Sequence, residues 1–186
     1  MKQLLVRTGF GTLLLAACTE NSEPPPGCAV VEDLGRLEAR ADAVRVPQAQ
    51  PTPPANDDAT VTYLRVAIGS DDAFELALWD SYGAFGDVDI TTGVFTIAGA
   101  EAQNVSCGIC ARILGDLADG QPTQRYIAVS GTLTLTSVTD RLVGTAADLE
   151  LKELDEGAAS GGPLPDGCTT HVDEVRVDVP IVLGAM

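Results

Sequence analysis

Two short segments of this sequence have the residue types and spacing of a metal site. Cys107-x2-Cys110 and Cys168-x2-His171 supply three thiols and the single histidine of the chain, which is the ligand set of a Cys3His zinc site. Zinc requires reduced thiolates, however, and Cys28 would have no role in such a site. We therefore predict no metal ligand among these residues, and no cofactor.

The pair Cys107 and Cys110 has a second candidate chemistry, which is thiol–disulfide exchange. A redox-active pair of this spacing needs its first cysteine at a helix N-terminus, where the helix dipole lowers the pKa of the thiol. Ile113, Leu114 and Leu117 follow at spacings that a helix could use. The segment resembles the Cys-x-x-Cys of thioredoxin-like proteins, but the βαβ pattern of that fold is missing. An exported oxidoreductase that uses this pair is therefore an alternative function.

The N-terminus has the features of an export signal. The first seven residues contain Lys2 and Arg7 and no acidic residue, and an apolar stretch then runs to Ala17. A basic region followed by a short apolar region predicts a signal peptide at residues 1–17. The stretch is far shorter than the roughly 20 apolar residues of a transmembrane helix, so we do not expect a membrane-spanning anchor.

The end of this leader, Leu15-Ala16-Ala17-Cys18, resembles the lipobox of bacterial prolipoproteins at all four positions. In that family a diacylglycerol is attached to the cysteine, a signal peptidase cuts before it, and the new amino group is usually acylated as well. The resemblance implies a lipid anchor on Cys18 that holds the protein at the membrane. Thr19, where the family's inner-membrane proteins have Asp, implies the outer membrane of a Gram-negative cell envelope.

Export would place the four other cysteines in an oxidising compartment, where an even number indicates disulfides. These are Cys28, Cys107, Cys110 and Cys168. If Cys107 and Cys110 lie on one strand, they point to opposite faces and their Cα atoms are about 10 Å apart, beyond the ~7 Å limit for a disulfide. Each would then pair with Cys28 or Cys168. Of the two possibilities we favour Cys110–Cys168 with Cys28–Cys107.

The segment 18–58 is predicted to be a tether that contains one short helix. Pro24-Pro25-Pro26 indicates an extended spacer after the lipidated cysteine. Over residues 29–44 apolar side chains recur every three or four positions, which predicts a helix. These side chains are Val31, Leu34, Leu37, Ala41 and Val44. Prolines between Pro47 and Pro54 then predict an extended linker that ends at residue 58.

From Ala59 onward the hydrophobic period changes to two, which predicts β-strands. The expected inward-facing sets are Leu64, Val66 and Ile68; Phe74, Leu76 and Leu78; Ile127, Val129, Leu133 and Leu135; Val143, Ala147, Leu149 and Leu151; and Val175, Val177 and Val179. Gly131 and Gly144 within these runs predict bulges or a bend. Residues 59–183 are therefore expected to form an all-β domain, an antiparallel β-sandwich or small barrel of about eight strands.

The chain from about residue 82 also resembles a group of uncharacterised bacterial lipoproteins. The matching segments are Tyr82-Gly83-Ala84-Phe85, Thr92-Gly93, Cys107-Gly108-Ile109-Cys110, Ser130-Gly131-Thr132-Leu133-Thr134 and Gly167-Cys168-Thr169-Thr170. That group has no established activity. The resemblance therefore supports a β-rich lipoprotein domain and implies no particular chemistry.

The charge of the chain excludes one class of partner. The formal net charge is −16, and binding to nucleic acid needs clustered lysine and arginine, so we expect no nucleic-acid partner. Among the acidic residues, Asp71, Asp72 or Asp87 could contribute oxygen ligands to calcium. A calcium-dependent binding module is therefore a second alternative function, although solvated carboxylates on turns explain the same pattern.

The remaining chemistry-bearing residues have simpler structural explanations. His171 begins a strand pattern, where a partly exposed histidine is ordinary. Trp79, Tyr82 and Phe85 could line a surface for a sugar or peptide, but aromatic residues on a strand and its turn usually pack. We therefore expect a protein that is not an enzyme. The favoured function is a lipid-anchored, disulfide-stabilised envelope or surface protein with a non-catalytic binding or structural role, whose partner is an unidentified protein or glycan.

Overall fold

The computed structural model describes residues 23–47, 59–159 and 161–184. The predicted signal peptide at 1–17, the lipobox cysteine Cys18 and most of the second proline-rich linker lie outside these residues. Within the described ranges, no helix has the length and hydropathy that crossing a bilayer would require.

The described chain is almost entirely β-structure, so the prediction of an all-β domain is confirmed. One mixed sheet contains nine strands: β1 (Arg36–Glu38), β2 (Ala43–Pro47), β3 (Thr60–Ile68), β4 (Asp72–Trp79), β5 (Gly93–Ile97), β6 (Ile109–Gly115), β7 (Gln124–Val138), β8 (Arg141–Glu153) and β9 (Thr169–Leu183). Two single-turn 3-10 helices, Gly83–Phe85 and Gly99–Ala102, lie in the connections on either side of β5.

The strand pairings form a closed circuit. In the order β2, β3, β4, β6, β7, β8 and β9, each strand pairs with the next, and β9 pairs back to β2. β1 pairs with residues 174–176 of β9, and β2 pairs with residues 181–183 of the same strand. β5 pairs with residues 131–135 of β7, beyond the segment 124–127 that pairs with β6. The pairings of β9 with β1 and β2 are parallel, so the sheet is mixed and the prediction of a purely antiparallel sheet is corrected.

The predicted helix over residues 29–44 does not form. The region instead contains β1 and the start of β2, and it runs beside β9. Leu34 N donates to His171 O at 2.9 Å, and Ala39 N donates to Arg176 O at 2.9 Å. An amphipathic helix of this length depends on tertiary packing for its stability, and Gly35 weakens it further. Pairing with β9 provides hydrogen bonds for backbone groups that a helix would pair internally, and it buries Val30 and Ala43. The segment therefore forms strands instead of a helix.

The core is built from inward-facing side chains of the strands, mostly as their period of two predicts. The first part of β7 is an exception, because Tyr126 and Ala128 face the main core and Ile127 packs in a separate cluster. Its largest fully buried side chains include Phe74, Leu64, Leu76, Leu78, Leu133 and Tyr126. The set Val175, Val177 and Val179 on β9 is buried as predicted. Because these side chains come from strands all around the circuit, one apolar cluster holds the sheet together.

The first half of β8 differs from the predicted pattern by one residue. Leu142 and Ala146 are buried, where Val143 and Ala147 were expected to face inward. The register between β7 and β8 shifts between Ser130 and Thr132, where β8 contributes an extra residue, and Asp148 there has a φ of 52°. An extra residue reverses the side chains that face the core. The predicted irregularity at Gly131 lies within this shift and is confirmed.

Candidate functional site

The four cysteines of the domain lie in two pairs, and the pairing differs from the prediction. Cys28 is bonded to Cys168 with a Cα–Cα distance of 5.7 Å, and Cys107 is bonded to Cys110 with a Cα–Cα distance of 5.3 Å. The favoured pairing of Cys110 with Cys168 and of Cys28 with Cys107 is therefore wrong.

The prediction is wrong because Cys107 and Cys110 do not share a strand. β6 begins at Ile109, so only Cys110 lies in it, and Cys107 belongs to a turn in which its N–H donates to Gln103 O at 3.0 Å. The turn shortens the Cα–Cα distance from the roughly 10 Å of an extended chain to one that a disulfide can bridge. No pattern in the sequence marks where this turn ends and β6 begins.

The Cys28–Cys168 disulfide fastens the N-terminal segment to the start of β9. Hydrogen bonds continue the same junction: Thr170 Oγ1 donates to Val31 O at 2.7 Å, and His171 N donates to Glu32 O at 2.8 Å. The bond joins residues that are 140 positions apart in the chain. It therefore holds together the two ends of the described domain.

The Cys107–Cys110 disulfide lacks the geometry of a redox-active pair. The two residues are 2% and 0% exposed, and the strand β6 follows them instead of a helix. They pack in a small apolar cluster with Val61, Ala77 and Ile127. A thiol in this place has neither access to a partner nor a helix dipole to lower its pKa. The arrangement is that of a structural cross-link.

His171 has two carboxylates beside it. The metal-ligating atoms of Asp33, His171 and Asp173 all lie within 4.8 Å of one another, and this is the one such group of three among the residues that the structure describes. Nitrogen and oxygen ligands of this kind could hold a divalent transition-metal ion, with water completing the coordination. Asp33 was missed in the sequence because its segment was assigned to a helix. The calcium candidates Asp71, Asp72 and Asp87 are not in this group.

Asp72 has a structural role at the turn between β3 and β4. Its Oδ1 accepts a hydrogen bond from Asp116 N at 2.8 Å, which links this turn to the end of β6. Burial raises the pKa of the Asp72 carboxyl, the hydrogen bond from Asp116 N opposes this, and the charges of Asp116 and Asp71 raise it further. This hydrogen bond between two loops accounts for the position and partial burial of Asp72, and no bound ligand is needed to explain them.

The three aromatic residues considered as a binding surface instead contribute to packing. Phe85 is buried and its ring lies edge-on to Phe95, with 5.1 Å between centroids. Trp79 packs on the small cluster around the Cys107–Cys110 disulfide. Tyr82 Oη donates to Val105 O at 2.9 Å, which ties two connections together. Packing is the role that the sequence favoured for them.

A buried carboxylate organises the turn that contains Cys107. Glu101 is 6% exposed, and its Oε2 accepts a hydrogen bond from Ile109 N at 2.6 Å. Burial raises the pKa of Glu101, and hydrogen bonds from the backbone of Ile109, Ala84 and Gly108 oppose the rise. The segments Tyr82–Phe85 and Cys107–Cys110 are therefore brought together around one side chain.

Charged side chains form a ladder across three strands on the outer side of the sheet. Arg65 on β3, Glu75 on β4 and Arg112 on β6 are direct cross-strand neighbours. Arg65 Nη2 donates to Glu75 Oε2 at 2.9 Å, and Arg112 Nη1 donates to Glu75 Oε1 at 3.2 Å. One carboxylate therefore serves two guanidinium groups.

The ladder borders a cavity of about 510 Å³ that a third arginine also lines. Arg125 on β7 reaches this cavity and pairs with Glu156 from the connection between β8 and β9. The side chains of Asn104 and Gln121 also line it. We call this cavity, lined by Arg65, Arg112 and Arg125, the arginine groove.

Arg112 is the most enclosed arginine of the groove. Its side chain is 19% exposed, and its Nε is buried with no hydrogen-bond acceptor among the described residues. Burial lowers the pKa of the Arg112 guanidinium, the carboxylate of Glu75 opposes this, and the charge of Arg125 lowers it further. The groove thus holds a partly buried cationic group whose hydrogen-bonding capacity is only partly used within the described residues.

No pattern in the sequence indicates the arginine groove. Its three arginines are far apart in the chain, and only the register of β3, β4, β6 and β7 brings them to one surface. A useful signal would have been outward-facing charges on neighbouring strands, but recognising them requires the strand order and register.

Comparison of the chain with known protein families, with curated proteins and with solved structures gave no match.

Proposed function

We propose that this protein is a lipid-anchored, disulfide-stabilised envelope protein with a non-catalytic role in binding or structure. The lipobox Leu15-Ala16-Ala17-Cys18 supports the anchor, and Thr19 supports the outer membrane of a Gram-negative cell as its place. The observation that carries the proposal is the Cys28–Cys168 disulfide, which joins the segment after the lipobox directly to the domain.

The position of this disulfide limits how far the domain can move from the membrane. Roughly ten residues separate Cys18 from Cys28, and an extended chain of that length reaches about 33–36 Å. The prolines Pro24-Pro25-Pro26 were predicted to be extended, but the interval ends in a turn in which Cys28 N donates to Pro25 O at 2.9 Å, so its reach is shorter than this. The domain would therefore be held within one protein diameter of the bilayer.

The state of the cysteines supports a structural over a redox role. Both disulfides are internal, and the buried Cys107–Cys110 pair has no helix at its first cysteine. A domain in an oxidising envelope is stabilised by such cross-links, which need no reactivity of their own. The arginine groove is a candidate binding surface, since it combines a cavity with the enclosed guanidinium of Arg112.

Cell fractionation of the full-length protein and of Cys18→Ala tests the anchor. The wild-type protein is expected in the outer-membrane fraction, and Cys18→Ala in soluble fractions of the envelope. A Thr19→Asp variant is the matched control, because it keeps the lipid but changes the sorting residue, and it is expected in the inner membrane. Recovery of Cys18→Ala in the membrane with the wild-type yield would refute the proposal.

A further inference from the structure

We propose that the arginine groove binds a small anionic ligand through a carboxylate or phosphate group held by Arg112 and Arg125. The proposal rests on the binding role argued above and gives it a site and a ligand class. Three observations carry it: the charge of the groove against that of the chain, the unused hydrogen-bonding capacity of Arg112, and the size and lining of the cavity.

The groove reverses the charge of the molecule around it. The chain has 27 acidic residues and 11 lysines and arginines, yet three of those arginines line this one cavity. They face two glutamates there, Glu75 and Glu156, so the local balance is positive. A positive cavity in an acidic surface attracts anions. A second cavity, lined by Arg36, Arg40 and Arg65 with Glu38 and Asp72, has the same balance of charge, so the enclosure of Arg112 is what distinguishes the groove.

Arg112 supplies the hydrogen-bonding capacity for such a ligand. Within the described residues its guanidinium makes one hydrogen bond, from Nη1 to Glu75, and its buried Nε has no acceptor. The Nε is enclosed by protein, so the donors that a ligand in the groove can reach are the remaining Nη donors of this partly exposed side chain. Guanidinium groups match carboxylate and phosphate oxygens in planar, two-point contacts, so an oxyanion is the acceptor that suits this place.

Arg125 is the second cationic group. It is close enough to Arg112 for its charge to lower the pKa of that guanidinium, and it pairs with Glu156 at a more exposed position. An anion between the two guanidinium groups would relieve their repulsion. Arg65 remains bound to Glu75 and keeps that carboxylate in place.

The lining of the cavity restricts the rest of the ligand. A volume of about 510 Å³ lies within the usual range for small-molecule sites, and it exceeds what a single inorganic ion fills. Leu114, Val105 and Leu154 are apolar residues of the lining, and Asn104 and Gln121 are polar ones. The ligand is therefore a small organic anion, with a short apolar or polar body behind its carboxylate or phosphate.

Calorimetric titration of the lipidated protein in detergent with inorganic phosphate and with citrate tests the site. At least one of these probes is expected to bind, and the tighter one identifies the phosphate or the carboxylate as the preferred group. Arg125→Gln should weaken that binding about ten-fold or more, because it removes a charge-assisted contact. Arg112→Lys should weaken it while leaving the fold intact, because lysine keeps the charge but lacks the planar donors.

Arg141→Gln is the matched control. Arg141 is an exposed arginine that pairs with Asp178 outside the groove, so its replacement should leave anion binding unchanged. The site is refuted if neither probe binds up to about 10 mM, or if Arg141→Gln weakens binding as much as Arg125→Gln. Fractionation of the same variants separates this failure from failure of the proposed function, because anchoring through Cys18 does not depend on the groove.

Discussion

Gly108 occupies a point where two connections touch backbone to backbone. A Cβ atom added there would lie 2.2 Å from Tyr82 O and 3.0 Å from Ala84 N, and these backbone atoms cannot rotate away. We expect Gly108→Ala to lower the free energy of unfolding by about 1–3 kcal/mol or more, measured by urea denaturation. Gly157→Ala is the control, because its Cβ would meet only the end of the Asp155 side chain at 3.3 Å. Equal stability of the two variants would contradict this account of the turn.

Glu101 makes the stability of the same region dependent on pH. Because burial raises its pKa in the folded protein, its contribution is fully present below the unfolded pKa and is lost as the pH rises through the folded pKa. The difference in unfolding free energy between wild type and Glu101→Gln should therefore be larger at pH 4 than at pH 7. Denaturation of both proteins at the two pH values measures it. A difference that grows toward pH 7 would contradict the raised pKa of Glu101 in the folded protein.

Residue types in the sequence were sufficient to identify some of these features and not others. The presence of disulfides among the four cysteines, the inward-facing valines of β9 and the strand irregularity near Gly131 follow from local pattern, because each depends on residue type and period alone. The buried role of Glu101 and the meeting of Arg65, Arg112 and Arg125 do not. Both depend on which segments become neighbours, and that is decided by strand order and register across long stretches of chain.

The two disulfides belong to different elements and should stabilise the protein to different degrees. In the chain-entropy model, a bond across 140 residues stabilises by about 5 kcal/mol and one across 3 residues by under about 2 kcal/mol. Cys28→Ala with Cys168→Ala should therefore lower the melting temperature more than Cys107→Ala with Cys110→Ala. Thermal denaturation of the two double variants decides this, and the reverse order would show that packing around Cys110 dominates over loop closure.

The N-terminal segment shows why an element can be assigned wrongly from its period. Val31, Leu34 and Leu37 repeat at helical spacing, yet the segment lies beside β9 in short strands. The amphipathic pattern of a segment is a weak determinant of its secondary structure when an unpaired strand edge is available for it to pair with. The edge of β9 came from the far end of the chain, so no window of sequence could reveal it. The predicted disulfide pairing is wrong for a related reason. It depends on the backbone conformation at Cys107, which no local pattern in the sequence indicates.

At the scale of the whole molecule, the acidity fits a domain that stays in solvent beside a membrane. Cleavage of the leader would remove Lys2 and Arg7 and no acidic residue, which makes the formal charge of −16 more negative by two. Such a charge favours solubility and disfavours contact with other anionic surfaces. The tether and the Cys28–Cys168 disulfide would then hold the domain near the bilayer without burying any of it there.

The central claim is that the mature chain begins at an acylated Cys18, and mass spectrometry of its N-terminal peptide tests this most directly. After isolation from membranes, reduction and trypsin digestion, the peptide that ends at Arg36 is expected to start at Cys18 and to carry the mass of a diacylglycerol and an N-linked acyl chain. A peptide that begins elsewhere, or an unmodified Cys18, would contradict the account.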